Sequence, residues 1–105
     1  MHGNQSKWMD RNIEIIFKKF QFKLKITPES IQYAKKLYED LMEKNLFKYE
    51  SPYLIVAICV YTVLRIGESP KTVGEISDVC HLKDESLKEG YNRVFQEIES
   101  SLKKF

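Results

Sequence analysis

The chain has 105 residues, 43% of them hydrophobic, with 17 basic against 15 acidic residues and a formal net charge of +2. This length predicts one domain that is large enough to bury a core without covalent staples. The two cysteines, Cys59 and Cys80, form no Cys-x-x-Cys motif, so we expect reduced thiols of an intracellular protein.

The first nine residues predict a flexible N-terminal segment, and residues 10–105 predict a single domain. Nothing in the first residues, MHGNQSKW, has the hydrophobic character of a secretory segment, so we expect no export. Trp8 either anchors a partner protein or folds back over the core. A first helix follows, because apolar residues recur at helical spacing. These residues are Met9, Ile13, Ile16, Phe17 and Phe20.

Residues 20–26, with the sequence FQFKLKI, alternate apolar and polar side chains with a period of two. Such alternation is typical of a strand, but no other part of the chain offers an evident partner strand. We therefore predict an extended connector that lays Phe22, Leu24 and Ile26 onto the helices. Edge-strand pairing with another molecule is the alternative.

A second helix begins at Thr27-Pro28 and ends near Asn45, a residue that tolerates the left-handed conformation. Its apolar face recurs at helical spacing. That face consists of Ile31, Ala34, Leu37 or Tyr38, Leu41 and Met42.

The stretch Ser51 to Gly67, SPYLIVAICVYTVLRIG, is almost continuously apolar. It is too short to span a bilayer and carries Arg65 near its end, so we expect no membrane anchor. It is also roughly twice the usual strand length of about 4 to 8 residues. Ser51 suits a helix N-cap, Pro52 suits the first helical position and Gly67 suits a left-handed end. We predict a central helix that is buried on all sides.

Two further helices complete the prediction. Lys71 to Val79 indicates a short helix capped by Thr72, with Val73, Ile76 and Val79 facing inward. The last helix begins near Asp84, and Gly90 in its middle indicates close approach of another helix. Its apolar stripe consists of Leu87, Tyr91, Val94, Phe95, Ile98, Leu102 and Phe105. The fold class is therefore an all-α bundle of five helices.

The sequence offers few groups for catalysis or for metal binding. The two histidines are His2, near the N-terminus, and His81, beside Cys80, and adjacent residues seldom ligate one metal. None of the four glycines belongs to a phosphate-binding loop. We predict that the chain is not an enzyme and holds no metal or cofactor.

Positive charge is concentrated in residues 1–26, where six basic residues face two acidic ones, so this part carries +4 and the rest −2. The six are Lys7, Arg11, Lys18, Lys19, Lys23 and Lys25. This asymmetry is typical of a surface for nucleic acid or an acidic protein, and equally of a solvated helix face.

The second half of the chain resembles a cyclin-like repeat of the transcription factor IIB family, the first of its two repeats more closely. The family's Cys-Leu-Tyr-x-x-x-Arg pattern is matched by Cys59, Val60, Tyr61 and Arg65. Its Pro-Arg-Thr-x-x-Glu-Ile-x-x-Val pattern is matched by Pro70, Lys71, Thr72, Glu75, Ile76 and Val79. Leu82, Leu87 and Tyr91 follow at family spacing. We call Tyr61, Arg65, Thr72, Glu75 and Tyr91 the signature residues.

The resemblance implies a cyclin-like fold, in which four helices surround the third. It also implies an archaeal factor, located in the cytoplasm with the nucleoid, or in the nucleus if eukaryotic. The implied role is an adaptor that regulates transcription initiation. Its implied partners are RNA polymerase, the TATA-binding protein or a complete factor IIB homologue.

The last two helices form a helix-turn-helix-like unit, which touches promoter DNA in the family. Acidic residues at the start of the last helix disfavour such contacts here, because they repel phosphates. The best candidates for phosphate contacts are Lys71, Lys88 and Arg93, or else these are ordinary surface charges. A second hypothesis is DNA binding through the basic segment of residues 7–25, including Lys18 and Lys19, together with Lys88 and Arg93 of the last helix. A cyclin-type kinase-binding module is a third, weaker hypothesis.

The family's members carry a zinc ribbon and two repeats, whereas this sequence shows one repeat and no ribbon. The chain is therefore either one domain of a longer factor or a reduced relative that works beside complete ones.

Overall fold

The computed structural model describes the backbone of residues 8–67 and 71–102 and the side chains of residues 8–67 and 71–97. These residues form five α-helices and no strand. The helices are α1 (Arg11–Leu24), α2 (Pro28–Glu43), α3 (Pro52–Ile66), α4 (Val73–Val79) and α5 (Asp84–Leu102). The predicted all-α class and number of helices are confirmed.

Helix α3 lies at the centre of the fold and contacts each of the other four helices. Ten of its 15 residues are buried, and four of these, Val56, Ala57, Ile58 and Cys59, are completely inaccessible. A helix that is apolar all round is stable in water only when neighbouring helices cover every side. The structure therefore confirms the cyclin-like arrangement around a buried third helix.

Short polar side chains begin the helices as the sequence predicts. The hydroxyl of Thr27 accepts a hydrogen bond from the backbone N–H of Ser30, and the hydroxyl of Ser51 accepts one from Leu54, both at 3.2 Å. Each bond satisfies an amide that would otherwise lack an intrahelical partner. At the end of α2, Asn45 has the expected left-handed conformation, with φ of 54°.

Gly67 does not terminate α3 in the left-handed conformation, so this prediction is wrong. Its φ is −81° and its ψ is −168°, an extended geometry that any residue adopts, and its N–H donates to the carbonyl of Val63. The backbone is thus extended immediately after α3, and the left-handed conformation is not used to end the helix.

The predicted extended connector at residues 20–26 is also wrong. Helix α1 continues to Leu24 and ends at Lys25, which has a left-handed φ of 54°. Phe20 and Leu24 are four residues apart, so the inward face of α1 simply continues. Phe22 lies about 200° around the helix from Phe20 and is 83% exposed. Of the three apolar residues, Ile26 is buried and Leu24 is half-buried.

Helix α5 packs closely against α3 at Gly90, as predicted. A Cβ atom at this position would lie 2.2 Å from Cδ1 and 2.7 Å from Cγ1 of Ile58. Leu87 and Val94 are fully buried on either side of this contact. Phe95 is 52% exposed, so its predicted place in the apolar stripe is wrong, because it lies beyond the edge of the buried face.

Some predictions fall partly or wholly outside the described residues. The side chains of Ile98 and Leu102 and all of Phe105 do so, as does most of the predicted segment 1–9. The two described residues of that segment, Trp8 and Met9, are half-buried against the core. Cys59 and Cys80 are free thiols. Within residues 8–67 and 71–102, no helix has both the length and the apolar character needed to cross a membrane.

Candidate functional site

Three of the signature residues form a cluster between α3 and α5. The rings of Tyr61 and Tyr91 meet edge to face, with centroids 5.0 Å apart. The guanidinium carbon of Arg65 lies 5.9 Å from the Tyr61 centroid and 5.5 Å from the Tyr91 centroid. Arg65 also donates to the Tyr61 hydroxyl at 3.4 Å. These contacts join the end of α3 to the middle of α5 through aromatic and cation–π interactions.

The surroundings of Arg65 favour its protonated, positively charged form. Hydrogen bonding to Tyr91, and then the electrostatic influence of Tyr61, raises the pKa of Arg65 above its ordinary value. The side chain is nevertheless exposed. It therefore presents a fixed positive charge to solvent while it holds two helices together.

The other two signature residues, Thr72 and Glu75, begin helix α4. The Thr72 hydroxyl accepts from the Glu75 N–H at 3.1 Å, and the Glu75 carboxylate accepts from the Thr72 N–H at 3.1 Å. This reciprocal pair is a capping box. The hydrogen bond from the Thr72 backbone is the main reason that the pKa of Glu75 lies below its ordinary value. All five signature residues thus have a structural function in the domain.

The turn between α4 and α5 has a defined geometry. The N–H of Leu82 donates to the carbonyl of Ser77 at 2.8 Å, and His81 has a left-handed φ of 56°. The hydroxyl of Ser77 donates to the carboxylate of Asp84 at the start of α5. The bond between Ser77 and Asp84 links the two helices of the helix-turn-helix-like unit directly.

The first turns of α5 expose charges of both signs. Asp84, Glu85 and Glu89 are exposed, as are Lys83 and Lys88. Three carboxylates in this position suit the positive end of the helix dipole. They also oppose the approach of a phosphate backbone.

The five candidate phosphate-contacting residues are not brought together in one place. Lys18 and Lys19 are exposed on α1, and Lys88 is exposed on α5. Lys71 is half-buried in a groove next to the end of α1. Arg93 donates to the carbonyl of Leu46, and its guanidinium carbon lies 4.6 Å from the centroid of the Phe47 ring. Arg93 therefore links α5 to the segment between α2 and α3 through a hydrogen bond and a cation–π contact.

Trp8 folds back over the end of α2. Its indole N–H donates to the carboxylate of Glu43 at 3.1 Å, and the side chain is half-buried. Trp8 thus packs against the core, as one of the two alternatives expects, and its role as a partner anchor stays a prediction.

The core contains two titratable groups that are unsuited to reaction. Burial raises the pKa of Tyr38 to about 12, and it raises the pKa of the Cys59 thiol well above its ordinary value. A thiol reacts as the thiolate, so Cys59 is inert in the folded protein. Among the residues that the structure describes, no three His, Cys, Asp or Glu side chains are grouped as metal ligands would be.

One surface was missed by the sequence reasoning. Lys18 and Phe22 are exposed on one side of α1, four residues apart, and they line one groove together with Lys25, which lies at the left-handed end of the helix. The signal was present in the sequence, because extending the helical period of α1 beyond Phe20 turns Phe22 outward. Reading residues 20–26 with a period of two placed Phe22 in the core instead.

Most of the chain is similar to known proteins. The family model of the transcription factor TFIIB repeat matches residues 11–97. The transcription initiation factor IIB of Pyrococcus horikoshii is 27% identical over 81 residues, which cover 77% of this chain and 27% of that protein. That of Pyrococcus furiosus is 26% identical over the same shares of both chains. Transcription initiation factor IIB 1 of Thermococcus kodakarensis is 27% identical over 68% of this chain and 24% of its own length.

The chain spans about a quarter of the length of these relatives. The matched residues, 11–97, include all of α1 to α4 and most of α5. They also include every signature residue, so the resemblance noted from the sequence is confirmed. The chain belongs to the transcription factor IIB repeat family.

Proposed function

We propose that this chain is an adaptor that regulates transcription initiation by binding protein components of the initiation machinery. The family and its relatives, which are named transcription initiation factor IIB, support a role in initiation. The observation that favours protein partners over DNA concerns α5. Its exposed first turns carry three carboxylates, and Arg93 is already engaged by the α2–α3 connection.

The charges at the start of α5 favour a protein partner over DNA. Binding to duplex DNA gains much of its free energy when cationic side chains displace counterions from phosphates. Acidic residues at the start of α5 oppose that gain, and Lys83 and Lys88 only balance them in part. A protein surface with mixed charges imposes no such penalty. The helix-turn-helix-like unit therefore suits a protein partner better than a promoter.

The proposed partners are the TATA-binding protein, RNA polymerase and a complete factor IIB homologue. The proposal assigns no catalytic reaction to the chain, in keeping with the names of its relatives. It places the protein in the archaeal cytoplasm, at the nucleoid.

The test measures retention of each purified partner on the immobilised chain at low ionic strength. Retention of at least one of the three, with a dissociation constant of about 10 µM or tighter, supports the proposal. Failure to retain any of the three under these conditions refutes it. The control is the same support without the chain, which should retain none of them.

A charge-reversal variant tests the argument about α5. Glu85→Lys with Glu89→Lys converts two exposed carboxylates to ammonium groups. We expect this variant to bind duplex DNA about tenfold more tightly than the parent at low salt, because repulsion of phosphates is removed. An unchanged DNA affinity would show that the acidic residues do not limit DNA binding.

A second candidate function is direct binding of duplex DNA through α1. The observation in its favour is the cluster of exposed cations on this helix, which includes Lys18, Lys19 and Lys23. One acidic residue of α1, Glu14, is paired with Lys35 at 3.1 Å and does not neutralise them. This candidate predicts duplex affinity that falls steeply with added salt and is reduced by Lys18→Glu with Lys19→Glu. No duplex binding near physiological salt would exclude it.

A further inference from the structure

Three adjoining grooves lie at the end of the bundle where α1 ends, α2 begins and α3 ends, and we call them together the furrow. The first groove runs along α1 past Phe22 to Ile26, and the second, of about 380 Å³, shares Lys25 and Ile26 with it. The third, of about 450 Å³, shares Ser30 and Gly67 with the second. Because neighbouring grooves share lining residues, one extended ligand could contact all three.

The charge of the furrow is predominantly positive. Among the residues that the structure describes, its lining includes four lysines, Lys18, Lys23, Lys25 and Lys71, and one acidic residue, Glu29. The lysines line the first two grooves, whereas Glu29 lies in the third. An anionic ligand therefore gains most from the part of the furrow next to α1.

Each end of the furrow exposes large apolar side chains. Phe22, at the α1 end, is 83% exposed. At the other end Tyr33 is 61% and Ile66 is 77% exposed, and the half-buried side chains of Leu37 and Val63 complete the wall. Large apolar side chains that are this exposed gain free energy when a partner covers them, and clusters of them mark interaction surfaces.

We infer that the furrow binds an acidic peptide segment that carries large apolar side chains and belongs to a protein partner. The carboxylates of the segment face the lysines, and its apolar side chains cover Phe22 at one end and the Tyr33–Ile66 wall at the other. That the partner belongs to the initiation machinery rests on the proposed function, whereas the chemistry of the segment rests on the furrow alone.

A nucleic acid is less well matched to the same surface. Its phosphates would suit the lysines, and a base could stack on Phe22. The third groove, however, offers Tyr33, Leu37, Val63 and Ile66 beside the carboxylate of Glu29. None of the described residues that line this groove is a cation that would attract a phosphate, whereas its apolar wall suits leucine or phenylalanine side chains of a peptide.

The experiment uses a fluorescein-labelled peptide of about 15 residues in which Asp and Glu alternate with Phe and Leu. Binding to the full chain is followed by fluorescence anisotropy at low ionic strength. One control peptide replaces every Asp and Glu with Lys, and another replaces every Phe and Leu with Ala. We expect the parent peptide to bind at least about tenfold more tightly than either control, since each control removes one of the two recognised features.

Variants of the protein locate the binding site. Lys18→Glu with Lys23→Glu should weaken binding of the peptide about tenfold or more, and Phe22→Ala should weaken it about fivefold. All three residues are exposed, so these variants should melt at the parent's temperature. Lys48→Glu is the matched control. It makes one of the same charge reversals beyond the opposite end of α2 and should change the affinity less than twofold.

The outcomes separate this inference from the proposed function. Peptide binding that survives both furrow variants overturns the inference, as does tighter binding of a DNA oligonucleotide that displaces the peptide. If a purified initiation partner is retained equally by the parent and by the Lys18→Glu, Lys23→Glu variant, the furrow is not its site although the adaptor function stands. If the peptide binds the furrow and none of the three partners is retained, the proposed function fails and the furrow assignment stands.

Discussion

Replacing Gly90 with alanine tests the close packing of α5 on α3. Alanine favours a helix over glycine by about 1 kcal/mol, so propensity alone predicts a more stable protein. The added Cβ would lie 2.2 Å from Cδ1 and 2.7 Å from Cγ1 of Ile58, whereas carbon atoms in contact prefer about 3.5 to 4.0 Å. Ile58 is completely buried, so it cannot move aside without displacing its neighbours.

The packing penalty should exceed the gain in helix propensity. Overpacking of a core typically costs about 1 to 3 kcal/mol, and the contact here is among the more severe, so we expect a net loss of about 1 to 2 kcal/mol. For a domain of this size that loss lowers the melting temperature by roughly 4 to 12 °C. The assay is thermal and urea unfolding followed by circular dichroism.

Two further variants test whether the contact with Ile58 causes the loss of stability in Gly90→Ala. At Gly74 an added Cβ would meet one atom within 4 Å, the Thr72 hydroxyl oxygen at 3.9 Å, so Gly74→Ala should be neutral or stabilising. Ile58→Ala removes the obstructing atoms, and in that background Gly90→Ala should become neutral or stabilising by up to about 1 kcal/mol. A Gly90→Ala protein as stable as the parent, or a penalty that persists without the Ile58 side chain, would refute the steric reasoning.

Three further predictions concern ionisable groups. Because burial raises the pKa of Tyr38 to about 12 from 10.0, stability should fall as the pH rises from about 10 to 12, and Tyr38→Phe should reduce that loss by up to about 2 kcal/mol in urea titrations. The pKa of Glu75 is lowered, so this carboxylate stabilises the folded protein at neutral pH, and that stabilisation is lost as the pH falls through and below the ordinary pKa of 4.5. Glu75→Gln should therefore make the free energy of unfolding less dependent on pH in the acid range, as measured by urea titrations. In the native protein a thiol reagent should modify half-buried Cys80 slowly, since desolvation raises its pKa, and should modify Cys59 only as the protein unfolds, which mass spectrometry of timed samples would distinguish.

The architecture was predictable because local and global signals agree along most of the chain. Thr27, Ser51 and Thr72 are N-caps by residue type and also in the structure. The apolar stretch between Ser51 and Gly67 is too long for a strand and too short for a membrane span, which left a buried helix. Gly90 indicated a close helix contact because glycine is costly within a helix and needs a compensating reason.

The wrong prediction for residues 20–26 arose because a short pattern fits two periods. In residues 20–26, apolar side chains at every second position match a strand, yet Phe20 and Leu24 are also separated by one helical turn. A period of two predicts that Phe22 is buried, whereas the helical period predicts that it is exposed. Only the helical period therefore reveals the furrow. The wrong prediction for Phe95 has a different cause, because the sequence does not show where the buried face of a helix ends. Val94 is fully buried, whereas the ring of the next residue, Phe95, is half-exposed.

The candidate site was less predictable than the fold because its key contacts join distant parts of the chain. Arg93 looked like a surface cation, but its partners are Leu46 and Phe47, 47 and 46 positions earlier. Trp8 similarly reaches Glu43 across 35 positions. No periodicity or local motif encodes such pairs, since they depend on how complete helices pack.

The central position of α3 determines how the domain opens to water. Any motion that detaches a single neighbouring helix uncovers part of the buried middle of α3, so partial opening is costly. The amide protons in this buried middle, around Val56 to Val60, should therefore exchange with deuterium only through global unfolding, at one common free energy. Those at the exposed start of α1 should exchange earlier, through local fraying.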